Sequence, residues 1–315
     1  MAPWLPRLHL FEFHDQPWFH PWFRAKVQAA LTETWLMTIW PLQSESPASI
    51  VARQLADELR RDGSRAKQQQ HVVVDYCAGG GGPIPMIAKH INKDLQHQQP
   101  VHFVLTDLHP HIHNWALAAA ASPHIHYAPS SVDAANSPPG LLDLVEPPLP
   151  PELAGKRTGS SADAGVQAPR IFRTFHLSFH HFDDPLALAI LRDTMNTSAG
   201  FAIVELQDRH LTSFLAIFLL GIGVMVFSPI FAWRWRSPGT FFWSWIIPVL
   251  PFVLVWDGWM SSARSRTRLE VEDLMRRCGA SEDEVKKWHV KSGKKTHLPP
   301  WADVHWIIGT REGDE

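Results

Sequence analysis

A run of four glycines follows a β-branched stretch and an acid in "VVVDYCAGGGGPIP", from Val72 to Pro85. Glycine occurs at this density where the backbone needs unusual dihedral angles or must approach another molecule closely. A phosphate-binding loop of the form GxxxxGK[ST] is excluded, because Ile84 stands five residues after Gly79 and no Lys-Ser or Lys-Thr pair follows. The dinucleotide fingerprint GxGxxG also fails, since Ile84 or Pro85 occupies its third glycine position.

Acidic residues stand at or near the ends of three successive strand-like segments. Asp75 ends "HVVVD", Asp107 ends "VHFVLTD", and Asp133 follows the weaker strand "HIHYAP". Helical patterns, "PIPMIAKHINKDL" and "HNWALAAAA", alternate with these strands, which predicts a parallel sheet covered on both faces. Ligands of such sheets bind beyond the carboxyl ends of the strands. The three carboxylates are therefore candidates for a ligand site at that edge.

The rest of the chain completes the same pattern. The fourth and fifth predicted strands are "IFRTFHLSF" and "GFAIVELQ", with the helix "DDPLALAILRDTM" between them. Near the C-terminus, "KKWHVKSGKK" and "ADVHWIIGTR" are strand-like with no helix between them, which predicts an antiparallel hairpin at one edge of the sheet. Two helical patterns, "RAKVQAALTETWLMTIW" and "ASIVARQLADELRR", precede the first strand. The predicted class is α/β.

The spacing of Asp75, Cys77, Gly79 and Gly81 resembles the nucleoside loop of S-adenosylmethionine-dependent methyltransferases, in which an acid is followed by alternate glycines. From about residue 70 to the C-terminus, the chain resembles a class I methyltransferase. Cys77 departs from the family pattern, which has its first glycine there. The resemblance implies a Rossmann-like methyltransferase fold with a mostly parallel seven-stranded sheet. It also implies S-adenosyl-L-methionine as the cofactor.

The same resemblance assigns cofactor-binding roles. It implies that Gly79 to Gly81 lie under the methionine part of the cofactor, that Asp107 bonds the ribose hydroxyls, and that Asp133 faces the adenine edge. Carboxylates accept hydrogen bonds from hydroxyl and amino groups, as these roles require. The complete predicted cofactor-binding set is Asp75, Cys77, Ala78, Gly79, Gly80, Gly81, Asp107, Leu108, Val132, Asp133 and Ser178.

A narrower resemblance rests on five segments: "FEFHDQPWFHPWFR", "DYCAGGGGP", "LTDLHP", "SFHHFDD" and "WDGWMSS". Together they resemble a poorly characterised group of microbial methyltransferase-like proteins that carry an apolar insertion after the fifth strand. This likeness bears on the architecture and does not identify a methyl acceptor.

Two histidines, His180 and His181, follow the fourth predicted strand in "HLSFHHFDD". In the methyltransferase fold this position borders the reacting methyl group. Methyl transfer mainly needs alignment of the nucleophile, and a hydroxyl or amine acceptor is helped by a nearby base such as histidine. We predict His180 or His181 as catalytic residues on the acceptor side, with Asp183 as an orienting group. Structural roles are the alternative, in which one histidine packs and Asp183 or Asp184 caps the next helix.

Other histidines cluster in "HPHIHNW", as His109, His111 and His113, and in "HIH", as His124 and His126. Spacing of this sort can bind a metal. There is no cysteine pair or HExxH pattern nearby, so we predict incidental surface histidines and no metal site.

An apolar insertion begins with Leu211 to Trp233, which contains no charged residue. A membrane span needs about 20 such residues. The second apolar segment, Phe241 to Trp256, is shorter and is broken by Pro248 and Pro251. Tryptophans gather at the ends of both segments, as in interfacial aromatic belts. We predict a membrane-associated hairpin, with a full span, a shallow insertion and a soluble lid over the acceptor pocket all left open.

Composition indicates which partners and which cellular compartment to expect. The net charge of −2 and the pI of about 6.8 are not those of a typical nucleic-acid binder. Two cysteines, Cys77 and Cys278, favour a reducing compartment. The first residues contain no secretory signal pattern. We expect an intracellular, membrane-associated protein with its catalytic domain on the cytosolic side and a small-molecule or lipid acceptor.

The predicted organisation has four parts. They are a helical cap over 1–70, a cofactor-binding core over 71–209, a hydrophobic hairpin over 210–258 and a completion of the core over 259–315. Within the core, 137–169 is rich in Pro, Gly, Ser and Ala, which indicates a flexible loop.

The sequence therefore predicts an S-adenosylmethionine-dependent methyltransferase with an unidentified acceptor, for which the apolar insertion favours a lipophilic compound. The alternative is a non-catalytic membrane-associated adaptor that retains the fold. A nicotinamide-dependent oxidoreductase is a third hypothesis, and the failed GxGxxG spacing argues against it.

Overall fold

The structure is a computed structural model that describes residues 3–65, 70–94, 99–151, 153 and 169–312. The chain divides into two compact units, each assembled from three separate segments. The sheet unit comprises Ala48–Val204, Arg268–Gly293 and Trp306–Glu315. The helical unit comprises Met1–Pro47, Glu205–Thr267 and Lys294–His305.

Seven strands form one sheet in the order β3-β2-β1-β4-β5-β7-β6. The strands are β1 His71–Tyr76, β2 His102–Thr106, β3 Ile125–Tyr127, β4 Arg170–His176, β5 Gly200–Glu205, β6 Trp288–Leu298 and β7 Ala302–Arg311. The first five strands pair in parallel. The predicted α/β class with a mostly parallel seven-stranded sheet is confirmed.

The last two strands form the predicted antiparallel hairpin at one edge of the sheet. The connection from Leu298 to Ala302 is short, so the chain must reverse direction there. At the other end of β7, Arg311 N donates to Ala199 O at 2.9 Å, which sets the end of β7 beside the start of β5. β7 therefore also runs antiparallel to β5.

Ten helices accompany the sheet. They are α1 Pro21–Leu36, α2 Pro47–Arg65, α3 Ile84–Asp94, α4 Ile112–Ala121, α5 Asp184–Thr197, α6 Leu211–Arg234, α7 Pro238–Phe241, α8 Val249–Arg264, α9 Arg268–Arg277 and α10 Glu282–Lys286, as far as the described residues show. Almost all of α2 belongs to the sheet unit. The segment predicted as one cap over 1–70 is thus divided near residue 47.

Apolar burial explains why the central elements form. Every residue of β1, β2 and β5 is buried, as expected for parallel strands covered on both faces. In α3 the buried residues Ile84, Ile87, Ala88 and Ile91 recur at helical spacing and cover the sheet with one face. Asp183 immediately precedes α5, and its carboxylate accepts a hydrogen bond from Leu186 N at 3.0 Å. Asp183 is therefore a helix cap in this structure, which is the structural alternative for that residue.

The segment predicted as a flexible loop, 137–169, contains ordered structure in its described part. A short 3-10 helix spans Leu141–Asp143, and an antiparallel bridge joins Tyr127 to Glu146. Four leucine and valine side chains of this segment are buried in the core: Leu141, Val145, Leu149 and Leu153. The remaining positions, 152 and 154–168, lie outside the described residues.

A buried arginine joins three parts of the sheet unit. The Arg173 side chain on β4 is only 1% exposed, and its Nη2 lies 2.5 Å from Asp193 Oδ2 on α5. The guanidinium stacks 4.6 Å from the ring centroid of Tyr76, and Nη1 donates to Ala134 O at 3.3 Å. A charge buried this deeply is stable only with an opposite charge or hydrogen-bond partners. The ion pair therefore constrains how β4 packs against α5.

We expect Asp193→Ala to lower the free energy of unfolding by about 3 kcal/mol, because it leaves the buried Arg173 charge without its carboxylate. Asp57→Ala is the matched control, since it breaks an exposed pair with Arg60 and costs about 1 kcal/mol or less. Urea denaturation followed by circular dichroism measures both. Equal losses in the two variants would contradict a structural role for the buried pair.

The helical unit contains the apolar insertion. Among the described residues one helix, α6, is long and apolar enough to cross a membrane, and only 11% of its most apolar window is buried. α7 and the π-helical turn Phe242–Ile246 form a second apolar segment, which meets α8 at a bend of 71°. By length and composition, α6 is one candidate membrane span, and the bent segment from α7 to α8 is a second one if it is treated as a single span.

Charged residues anchor the N-terminal segment to α8 within this unit. The Asp257 carboxylate accepts hydrogen bonds from Phe13 N at 2.7 Å and His14 N at 3.0 Å. The Arg264 side chain is buried, and its Nη1 donates to Asp15 Oδ2 at 2.8 Å. The motifs "FEFHD" and "WDGWMSSAR" are thus two halves of one packing arrangement.

Candidate functional site

The chain turns sharply after β1 through residues with left-handed backbone angles. Cys77, Gly79, Gly81 and Gly82 have φ values of 57°, 50°, 99° and 43°. Only glycine adopts the 99° of Gly81 without strain. A Cβ atom at Gly82 would meet nothing within 4 Å, so space is open beside the turn. The glycine run therefore serves both the bend of the backbone and the access of another molecule to it.

The Asp107 carboxylate faces this turn. It lies just after β2, and its Oδ2 accepts a hydrogen bond from Gly79 N at 2.9 Å. The second oxygen, Oδ1, accepts one from His109 N at 2.8 Å, which fixes the orientation of the carboxylate. Because β1 and β2 are parallel neighbours, their carboxyl ends meet and bring these residues together.

A buried tryptophan supports the turn from α4. Trp115 has no exposed surface, and its Nε1 donates to Gly79 O at 2.8 Å. Its Cδ1 would lie 3.7 Å from a Cβ at Gly81, so the ring also packs under the middle of the turn. Trp115 was missed by the sequence reasoning. It is the one tryptophan in the alanine-rich predicted helix "HNWALAAAA", which is a signal that could have found it.

Asp75 lies beneath the turn and is bonded to β4. Its Oδ1 accepts hydrogen bonds from Thr174 Oγ1 at 2.8 Å and from His176 Nδ1 at 2.7 Å, and all three side chains are buried. This carboxylate is thus engaged by two donors of the neighbouring strand. Thr174 and His176 are two residues apart on a strand, so alternation alone places them on one face.

The segments after β2 and β3 are joined by hydrogen bonds. Val132 N donates to Asp107 O at 2.9 Å, and Ser131 Oγ donates to Leu108 O at 2.8 Å. Asp133 Oδ1 accepts from Ala135 N at 2.8 Å. Leu108 is 54% exposed, which is unusual for a leucine beside a core strand, whereas Val132 is buried. An exposed apolar side chain next to a carboxylate can cover the flat face of a ligand.

The electrostatics around Cys77 reflect three carboxylates. Burial raises the pKa of the Cys77 thiol above its usual range, and the negative charges of Asp107, Asp75 and Asp133 raise it further. The thiol is therefore protonated at neutral pH and is a poor nucleophile. The same negative field favours a positively charged ligand.

The residues predicted on the acceptor side follow β4, at the same edge of the sheet as the glycine turn. Leu177 has a φ of 50°, and the short 3-10 helix Phe179–His181 follows it. His180 is buried, His181 is half-buried, and the centroids of their rings are 4.2 Å apart. Ser178 Oγ is buried with no hydrogen-bond partner among the described residues. A buried hydroxyl without a partner costs free energy, which a bound polar ligand can recover.

The structure corrects the prediction that all the other histidines are incidental surface residues. His109 and His113 are exposed, as predicted, but His126 is buried and His124 is half-buried. His126 packs against His102, because both side chains stand on one face of adjacent strands. Burial, together with the nearby His126 and His124, lowers the pKa of His102 to about 4.

The strand order 3-2-1-4-5-7-6, the glycine turn after β1 and the carboxylate after β2 define the class I methyltransferase fold. The likeness to that class predicted from the sequence is confirmed for the fold.

A solved structure shares this fold. The crystal structure of the plantazolicin methyltransferase BpumL in complex with a triazolic desmethylPZN analog and SAH superposes with a TM-score of 0.51, at 11% identity over 94% of each chain. The plantazolicin methyltransferase BamL gives 0.42, at 12% identity over 92% of this chain and 100% of that chain. Magnesium protoporphyrin IX methyltransferase from Synechocystis PCC 6803 gives 0.38, at 8% identity over 84% and 79%. No protein-family profile and no curated protein sequence matches the chain.

We expect Gly81→Ala to lower the free energy of unfolding by about 1–3 kcal/mol, because a side chain strains the backbone at a φ of 99°. Gly80→Ala is the matched control. It lacks a left-handed φ, and its Cβ would lie 3.4 Å from Asn114 Nδ2, so we expect a loss of about 0.5 kcal/mol or less. Denaturant unfolding compares the two, and a Gly80 variant as unstable as the Gly81 variant would refute the strain argument.

Proposed function

We propose that this protein is a methyltransferase that binds S-adenosyl-L-methionine at the glycine turn and methylates a small-molecule acceptor. The observation that carries the proposal is the contact of Asp107 Oδ2 with Gly79 N, because it aims a carboxylate at a turn with open space beside it. The methyltransferase BpumL, which shares the fold, was crystallised with SAH. That finding supports the choice of cofactor.

We propose a contact from the described residues for each part of this cofactor. Asp107 keeps acceptor capacity for the ribose hydroxyls, since a carboxylate offers about four acceptor positions and two are used. Leu108 and Val132 offer apolar contact to the adenine ring, and Asp133 offers an acceptor to its amino group. Ser178 Oγ is available for a polar group of the ligand. The carboxylates near Cys77 complement the positive charge of the sulfonium.

S-adenosylmethionine supplies a methyl group that is already activated by its sulfonium. The protein then has to align the acceptor and, for a hydroxyl or amine, accept the proton that the acceptor loses. His180 and His181 are the proposed groups for this task, because they follow β4 at the same edge as the turn. Asp183 is occupied as a helix cap and is not included.

Binding of the cofactor is the first test. We expect calorimetry with S-adenosylmethionine and SAH to show one site per chain, and Asp107→Ala to weaken it about 10–100-fold through loss of charged hydrogen bonds. Asp283→Ala, which removes an exposed acid of α10, should leave the affinity unchanged. No binding by the unmodified chain, or binding of a nicotinamide cofactor instead, would overturn the proposal.

We also propose that the helical unit associates with a membrane through α6. A core helix would bury its apolar side chains, but Phe218, Ile222, Val226, Ile230 and Trp233 of α6 are exposed. A continuous exposed apolar face of this size marks a docking surface, and the length of α6 matches a bilayer. A membrane location supports a lipophilic acceptor.

Small residues allow α6 and α8 to pack closely as a hairpin. A Cβ at Gly258 would lie 2.8 Å from Ile217, and one at Gly221 would overlap Val255. Close approach at glycine is typical of helices that pack within membranes.

Cationic and aromatic side chains lie around the far end of α6. Lys26 stands 5.7 Å and 5.1 Å from the rings of Trp22 and Trp235, and Arg234 pairs with Glu33 at 3.1 Å. Exposed Arg236 follows. Such a mixture suits the head-group region of a bilayer. We propose an intracellular location with the methyltransferase part on the cytosolic side, which the free cysteines support.

Vesicle flotation tests membrane association. We expect the full chain to float with phosphatidylcholine vesicles and to stay bound in high salt, because apolar contacts are not screened. Ile222→Asp combined with Val226→Asp should release it, since each acid costs about 2.5–3.5 kcal/mol within a bilayer. Leu117→Asp, on the exposed face of α4, is the control and should float. A soluble full chain that does not bind vesicles would refute membrane association. Alkaline carbonate extraction distinguishes a membrane span from a shallow insertion.

A further inference from the structure

Three histidines share one face at the edge of the sheet. In the parallel pairing of β2 with β3, Phe103 stands opposite Ile125, so His102 stands opposite His124. His126 lies two residues after His124, and alternate residues of a strand point to the same side. β3 is the edge strand, so this face lies at the border of the sheet unit. The parallel register thus forces the three imidazoles together.

The nitrogen atoms of two of these rings point at each other. His102 Nδ1 lies 2.8 Å from His126 Nε2, and both side chains are buried. The ring of His124 stands edge-on to that of His102, with centroids 5.3 Å apart. His124 Nδ1 is buried and has no hydrogen-bond partner among the described residues. His124 Nδ1 is therefore a buried nitrogen beside the pair that the described hydrogen bonds do not use.

The carbonyl of Pro147 fixes the tautomer of His126. His126 Nδ1 lies 2.7 Å from Pro147 O, which can only accept, so Nδ1 carries the proton and Nε2 presents its lone pair to His102. A ring N–H donated to a backbone carbonyl is the arrangement that orients metal-binding histidines.

We infer that His102 Nδ1, His126 Nε2 and a ring nitrogen of His124 bind a zinc ion at the β2–β3 edge, with water in the fourth position. The zinc ion accepts the lone pairs of His102 Nδ1 and His126 Nε2, and it takes the place of the proton that lies between these two atoms. That proton moves from Nδ1 to Nε2 of His102. The His102 ring therefore stays neutral. Imidazole suits zinc, and three histidines with a water form a tetrahedral site.

The site needs only a local adjustment. Two nitrogens bound to one zinc at about 2.0–2.1 Å stand roughly 3.3 Å apart in tetrahedral geometry, so the 2.8 Å separation must widen by about half an ångström. Within the described residues, the ligand nitrogens of the three rings do not all lie within 4.8 Å of one another, so His124 must turn toward the pair. His124 is half-buried, so part of its side chain lies outside the packed interior. The ion would tie the edge strand β3 to β2.

Zinc titration of the chelator-treated full chain tests the site. We expect calorimetry to show one tight zinc ion per chain, and Co²⁺ to give the visible spectrum of a tetrahedral site. His126→Asn should weaken zinc binding at least 10–100-fold. Zinc should raise the melting temperature of the unmodified chain by more than that of the variant.

Two further variants keep the test decisive. His124→Ala leaves the buried pair intact and should also lose tight zinc binding, even if His126→Asn proves unstable. The combination of His109→Ala and His113→Ala removes exposed histidines and should bind zinc as tightly as the unmodified chain. Absence of tight zinc binding, unchanged affinity in His124→Ala, or loss of affinity in the His109 and His113 variant would each overturn the inference.

Discussion

The hydrogen bond from Gly79 N to Asp107 Oδ2 is the interaction on which the candidate site depends. It joins the turn after β1 to the end of β2, and it forms only because these strands are parallel neighbours. The Trp115 side chain donates a hydrogen bond to the carbonyl oxygen of the same glycine. One residue of the turn is thus fixed at both its donor and its acceptor, while Gly82 faces open space. Rigidity and access are combined within four residues.

The sequence was sufficient for the sheet and for the residues at its carboxyl edge. Strand alternation and the acids Asp75, Asp107 and Asp133 predicted a parallel sheet with these residues at one end, and the structure has that arrangement. The terminal hairpin was also predictable, because no helical pattern separates its two strands. Local periodicity decides such features, and it is visible in a single sequence.

Contacts between distant segments were not predictable. The engagement of Asp75 by His176 depends on the register of β1 with β4, which spacing alone does not give. His126 is hydrogen-bonded to the carbonyl of Pro147, which belongs to the segment predicted as a flexible loop. Composition rich in Pro, Gly, Ser and Ala indicated a flexible loop, but leucine and valine side chains in the described part of that segment pack into the core. Pairwise packing of this kind is a property of the tertiary fold.

The interleaving of the two units along the chain has a consequence for how the molecule can be divided. Each unit draws on three stretches that are far apart in sequence, and the strand pair β6 and β7 contributes to both. No single cut therefore divides the chain into one fragment for each unit. Assembly must close long loops before either core is complete, which slows folding and couples the two units kinetically. Exchange of the apolar helices for another segment would have to respect this order, because a break after residue 204, 267 or 293 interrupts both units.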